Sequence, residues 1–198
     1  IRDRVYTPFW NSVKGREVQV EYPSPTKIKA PLDWPMSENI ANWQMSKPMG
    51  RGACIVRPFV RLGQAAALER LAIFLDEDAA QYPDRRNIPS VLGTSGLSEN
   101  LALGEISPKQ CWHGGQRALY EGIEGAEIFL KEVVWREFAY HLMFHTPHIL
   151  DSNWKPDWDK FPWQTDENDA VVLAWKQGRT GVPFVDAAMR EMYVTGRM

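Results

Sequence analysis

The sequence predicts an all-α protein. From residue 59 on, apolar residues recur three and four apart, the spacing of one helical face. No stretch alternates apolar and polar residues over the length of a useful strand. Pro58, Pro147, Gly178 and Pro183 fall where helical periods begin or end. With 198 residues the chain is long enough for one good core or two small domains.

Residues 1–58 hold seven of the fourteen prolines and show little helical periodicity. Proline has no backbone donor and disfavours helix in the residue before it, so this stretch is expected to be extended or looped. It is too rich in aromatic residues for a free tail, and Tyr6, Phe9 and Trp10 are the expected anchors onto a folded body. After Pro58, residues 63–82 read as one helix with Leu68, Leu71, Ala72 and Leu75 inward. Ser98 is placed to cap a short helix through Ala102. Residues 108–120 and about 125–145 read as further helices, the second stopped by Thr146-Pro147. Residues 150–165 are a loop rich in Trp, Pro and Asp. Residues 166–177 form a helix closed by Gly178, and 183–194 another, with Pro183 in its first turn.

The composition is that of an ordinary soluble protein, 44% hydrophobic and 24% charged, with nine tryptophans as its one unusual number. No apolar run approaches the ~18–20 residues of a membrane span. The opening IRDRVYTPFW carries charges where a leader needs apolar residues. Cys54 and Cys111 lack metal or redox spacing, so a reduced, cytoplasmic protein is expected. The net charge of −2 conceals a balance of +5 over residues 1–70 and −7 over the rest. Such a chain does not wrap nucleic acid wholesale, though one basic rim around a pocket remains compatible with it. His141, His145 and His148 are spaced like a metal cluster but read more simply as helix-end and loop residues.

On the 125–145 helix, 100° per residue separates two faces. Leu130, Val134, Phe138 and Leu142 form a core stripe, whereas Phe129, Glu132, Trp135, Arg136 and Ala139 fall elsewhere. A carboxylate, an indole and a guanidinium together are costly to bury in an inert core. The plainer alternative is a surface pair between Glu132 and Arg136 at i,i+4. Thr94, Ser95 and Ser98 put three hydroxyls within five residues ahead of a helix start, a turn that either caps a helix or holds an anion.

Three stretches taken together carry a resemblance: Thr94-Ser-Gly-Leu-Ser98, Glu132-Val-Val-Trp135-Arg136-Glu-Phe, and AWKQGRTGVPFVDAAMREMYVTG over residues 174–196. In order and spacing they resemble the flavin domain of DNA photolyases and cryptochromes, from about residue 59 to 198. The resemblance implies an incomplete helical FAD-binding domain over residues 59–198, preceded by an interdomain linker over 1–58. The chain reads as part of a longer protein and is expected to be monomeric. Any antenna chromophore would bind an upstream α/β domain absent from this sequence.

The resemblance also implies roles. Thr94, Ser95, Gly96, Leu97 and Ser98 hold the FAD diphosphate, while Tyr82 and Phe129 contact the cofactor. Many relatives have Trp at the Phe129 position, so an aromatic is kept and an indole N–H is lost. Arg86, Glu132, Trp135 and Arg136 face damaged DNA, with Glu132 and Trp135 lining the cavity that receives a flipped cyclobutane pyrimidine dimer. Glu132 is expected to hydrogen-bond the pyrimidine edge and, in a dry cavity, to carry a raised pKa. Trp163 stands near the outer end of the family's tryptophan relay, although Trp158 or Trp154 could be the true match. The implied reaction is light-driven: excited reduced FAD gives an electron to the dimer, the ring opens and the electron returns. Glu132 with Trp135 favours a class I cyclobutane dimer photolyase over a cryptochrome photoreceptor. A third possibility, a helical binding module without flavin, predicts a colourless protein.

Overall fold

The structure, a computed structural model, describes residues 4–197. Every regular element among them is helical. The chain divides into two compact units: one joins the stretch ending at Pro23 to Arg61–Trp158, the other joins Ser24–Val60 to the stretch from Asp159 on.

The proline-rich segment is more helical than expected. It forms α1 (Tyr6–Val13), α2 (Ile40–Trp43) and α3 (Arg51–Val56), with irregular chain between α1 and α2. Pro8 does not prevent α1 because it lies in the first turn, where backbone N–H groups have no intrahelical partner to lose. Long-range packing does the rest. Phe9 is buried against Val134 and Phe138, with Tyr6 and Trp10 beside it, so the three expected anchors all engage.

The first unit is built on α4 (Gln64–Ile73), α5 (Tyr82–Arg85), α6 (Ser98–Ala102), α7 (Pro108–Tyr120) and α8 (Ala126–His145). The single helix expected over residues 63–82 is interrupted. After α4 the chain widens into a π turn at Phe74–Asp78, then tightens into a 3₁₀ turn at Ala79–Gln81 before α5. Phe74 and Leu75 lie three and four residues beyond Leu71 on the same face, and the widened turn brings Ala79, five residues after Phe74, inward as well. The inward face is therefore Ala67, Leu71, Phe74, Leu75 and Ala79; Leu68 and Ala72, expected inward, are exposed.

Helix α7 starts as its sequence dictates. Ser107 Oγ accepts from Gln110 N–H at 3.1 Å, the Gln110 side chain accepts from Ser107 N–H at 2.9 Å, and Pro108 occupies the first turn. Helix α8 is apolar on several sides because it serves two clusters. Its N-terminal half adds Ala126 and Phe129 to a core with Leu71, Phe74, Tyr82, Leu97 and Cys111. Further on, Val134 and Phe138 cover α1. Each fully buried Leu or Phe here contributes roughly 1.5–3 kcal/mol of transfer free energy. Burial pushes the Cys111 thiol up to about 11, as for an inert core cysteine.

The second unit contains α2, α3, α9 (Ala170–Lys176) and α10 (Pro183–Thr195). Helix α9 starts later than the expected residue 166, because Asp169 accepts from Val171 N–H at 2.7 Å and caps it. Met189 is the one buried apolar side chain among the described residues of this unit, and polar bonds fix the turn that leads into α10. Asp186 accepts from the Thr180 N–H and hydroxyl, both at 2.7 Å, and from Gly181 N–H at 3.0 Å. These bonds, the Thr180 hydroxyl first, hold its carboxyl below the usual range. Arg190 Nε donates to the Gly178 carbonyl at 2.9 Å. The conspicuous GRTGVPFVD run is thus a turn clasped by the helix that follows it.

Candidate functional site

Two groups of the predicted residues assemble on the first unit. The first is the turn over residues 94–98. Gly96 adopts a left-handed conformation (φ 58°), and Leu97 anchors the turn with 2% exposure. Thr94 and Ser98 are exposed, and Ser95 and Gly96 are half-buried. Ser98 begins α6 as expected but does not cap it: the cap position is Leu97, with no side-chain bond. With only five residues behind the turn, the helix end adds little field. The donors that count are the hydroxyls and amides of the turn itself. Among the described residues, no backbone N–H of residues 94–98 donates a hydrogen bond, and neither do the three hydroxyls. The turn is a free donor set suited to an anion with several oxygens.

The second group lies across α5 and α8. Arg86 Nη1 donates to Glu132 Oε1 at 2.5 Å, spanning 46 residues of sequence. Its guanidinium also lies over the Tyr82 ring, 5.4 Å from the centroid. The Glu132 bond holds the Arg86 pKa above its ordinary value, while burial raises that of Tyr82, opposed by Arg86. The local Glu132–Arg136 pair suggested by sequence does not form. Arg136 turns to Glu137 at 3.5 Å and covers Tyr140 at 4.8 Å. Glu132 is also not in a dry cavity: its side chain is 33% exposed and paired with Arg86. A pair this open contributes roughly 1 kcal/mol or less, so it is cheap to exchange for another partner.

Trp135 is 44% exposed, and Tyr6 of α1 lies flat on it, with centroids 3.8 Å apart and planes 6° from parallel. The Tyr6 hydroxyl donates to the Lys131 carbonyl at 2.7 Å. Burial first, and the Glu132 charge second, push its pKa up to about 12. Sequence reasoning saw Tyr6 only as an anchor; the sole signal available was an aromatic residue in a segment expected to drape over the body. Tyr82 and Phe129, with 7% and 5% exposure, pack around Phe74 and against each other at 6.4 Å, leaving little of either ring exposed.

Trp163 belongs to the second unit. It is 51% exposed and leans on Phe161 at 4.6 Å; Trp158 and Trp154 are 51% and 39% exposed. His141 and His145 form an edge-to-face ring pair at 4.6 Å, and the described residues contain no group of three or more His, Cys, Asp or Glu fit to hold a metal. No helix among them is long and apolar enough to cross a membrane.

Comparison with known proteins gives this arrangement its context. Residues 129–198 match the family model described as the FAD binding domain of DNA photolyase. The deoxyribodipyrimidine photo-lyase of Agrobacterium fabrum is 39% identical over 198 residues, and one from Thermus thermophilus is 36% identical over 195. Each alignment takes in 98% of this chain and 41% of the relative, so the chain spans about two fifths of their length. The crystal structure of a bacterial class III photolyase from Agrobacterium tumefaciens superposes on all of this chain and 41% of its own, with 38% identity and a TM-score of 0.86. That neighbour bears a different class name from the class I expected from sequence. The helical architecture, the three motifs in register and these relatives agree: the chain belongs to the DNA photolyase family, which it matches through the FAD-binding domain.

Proposed function

We propose that this chain forms part of a light-driven DNA repair enzyme acting on cyclobutane pyrimidine dimers, with FAD as cofactor. The observation that carries the proposal is the cluster of Arg86, Glu132 and Trp135, which gathers a cation, a carboxylate and a flat apolar wall on one exposed side of the unit. When bound, reduced FAD supplies the light-excited electron for ring opening. The residues present fit such a group: the turn over 94–98 offers unengaged amides and hydroxyls to a diphosphate, and Tyr82 and Phe129 belong to the same core cluster as Leu97 of that turn. A dimer must leave the base stack to be reached, and its weakened pairing makes that easier than for an intact pair. Trp135 then supplies a stacking face for the extruded bases. Glu132 accepts from the pyrimidine N–H edge and orients it. Arg86, released from Glu132, and Arg136 on the same helix stretch are available to backbone phosphates.

The test of the cofactor assignment is replacement of Thr94, Ser95 and Ser98 together by Ala in the flavin-loaded full chain. Most of the flavin should be lost on gel filtration, with the yellow colour and the light-dependent loss of dimers. Full retention of colour would reject this role for the turn.

Trp163 is proposed as the outer end of the electron relay that reduces oxidised flavin. A relay end must be wet, because water stabilises and deprotonates an indole radical cation, and Trp163 is half exposed. Trp163→Phe should abolish blue-light reduction of oxidised FAD by an external reductant while repair by pre-reduced enzyme stays nearly intact. Undiminished photoreduction in this variant would pass the role to Trp158 or Trp154.

A further inference from the structure

Arg70, on α4, is largely covered, with a side chain 15% exposed. Its Nη1 donates to the Gly96 carbonyl, to Glu99 Oε1 at 2.7 Å and to Asn100 Oδ1 at 3.0 Å. Asn100 is completely buried, and its Nδ2 donates in turn to the Arg61 carbonyl at 3.0 Å and to Glu105 Oε2 at 2.7 Å. One cation therefore fastens the segment over residues 94–102 from beneath, through three acceptors. Charge-assisted bonds of this kind are stronger and more directional than neutral ones.

The consequence for the turn follows from peptide geometry. In a trans peptide the carbonyl of one residue and the N–H of the next point in opposite directions, and the described residues contain no cis bond. Holding the Gly96 carbonyl down on Arg70 turns the Leu97 N–H away from Arg70. The left-handed Gly96 and the buried Leu97 side chain fix the peptide on both sides, and the Leu97 N–H donates to nothing among the described residues. Arg70 thus sets the direction of a free donor without reaching the surface it serves.

We infer that Arg70 is the positioning residue of the cofactor turn: it touches no ligand, but aims the amide of Leu97, and with it the turn, at the cofactor's diphosphate. This rests on the reading that residues 94–98 bind that diphosphate. The test uses the full chain stripped of flavin and compares affinities for FAD and for riboflavin, which has the ring system without phosphates. Wild type, Arg70→Gln, Arg70→Lys and the Thr94/Ser95/Ser98 triple Ala variant are measured side by side.

Arg70→Gln should weaken FAD roughly tenfold or more, since a charge-assisted anchor is lost. Riboflavin affinity should stay within about twofold. Arg70→Lys should fall between, because an ammonium can keep the Gly96 carbonyl but cannot serve three acceptors in fixed geometry. Equal losses toward FAD and riboflavin would reduce Arg70 to a general structural role and overturn the inference. Unchanged FAD affinity in the Gln variant, beside a weakened triple variant, would overturn it while leaving the reading of the turn intact. A triple variant that binds FAD like wild type would remove that reading, and the inference with it. Should the Gln variant fail to fold, the ratio of FAD to riboflavin affinity in the Lys variant decides.

Discussion

Gly125→Ala is expected to cost the first unit about 3 kcal/mol or more, at or beyond the upper end for overpacking a core. Gly125 precedes α8 with ordinary helical angles (φ −60°, ψ −21°), so backbone freedom is not what selects glycine there. Close approach is. A Cβ would lie 2.0 Å from the Ala79 carbonyl oxygen and 2.9 Å from that of Ala80. Both are backbone atoms, and Ala79 is fully buried at the end of the π turn, so neither can give way alone. Relief would require moving α8 away from the turn that carries Phe74 and leads to Tyr82, which opens the core around Phe129. Against a total stability of roughly 5–15 kcal/mol this is a large loss. Gly52→Ala, in α3 with no atom within 4 Å of its added methyl, is the control and should be near neutral or mildly stabilising. The urea midpoints of the two variants decide the matter; a Gly125→Ala midpoint equal to that of the control would show that the contact relaxes freely.

Gly125 also marks how far sequence can be read. Helices α7, α8 and α10 were legible because their signals are local: the Ser107/Gln110 box, the Thr146-Pro147 stop and Pro183 in a first turn. Helix α1 was not, because Pro8 argues against helix unless its position in the first turn is known, and Phe9 gains its burial from residues more than a hundred positions away. The π turn after α4 was equally hidden. It brings Ala79 inward five residues after Phe74, a step that four-residue spacing does not foresee. The same division holds at the site. Residues 94–98 and the 132–136 run stand out by their types and by family resemblance, but the partners that orient them do not. Arg86 meets Glu132 across 46 residues, Tyr6 covers Trp135 from α1, and Arg70 fastens Gly96 from α4. Local spacing favoured Arg136 as the partner of Glu132, and packing chose otherwise.

That exchange of partners shapes the expected behaviour of the lesion-binding residues. Trp135→Ala should weaken binding to dimer-containing DNA about 5- to 150-fold, from the roughly 1–3 kcal/mol of one base–aromatic stack. Tyr6 does not forestall this. Its stack on Trp135 is worth roughly 0.5–1.5 kcal/mol, so an extruded base can displace it and still gain. Glu132→Ala should act differently, since it removes the acceptor for the pyrimidine edge and also releases Arg86. The pair is about a third exposed on each side, so unpairing Arg86 costs little stability, and the freed cation becomes available to phosphate. Repair per absorbed photon should therefore fall, while affinity for undamaged DNA at low salt holds or rises and its salt dependence steepens by about one phosphate contact. Glu132→Gln separates the two effects, because the amide oxygen can still accept from the pyrimidine while Arg86 loses its ion pair. It should keep more of the repair yield than Ala and show the same steeper salt dependence. Affinities across a salt series, with quantum yields on a defined dimer, test all three variants. If Glu132→Ala instead releases FAD and leaves lesion affinity intact, Glu132 belongs to the cofactor and not to the dimer.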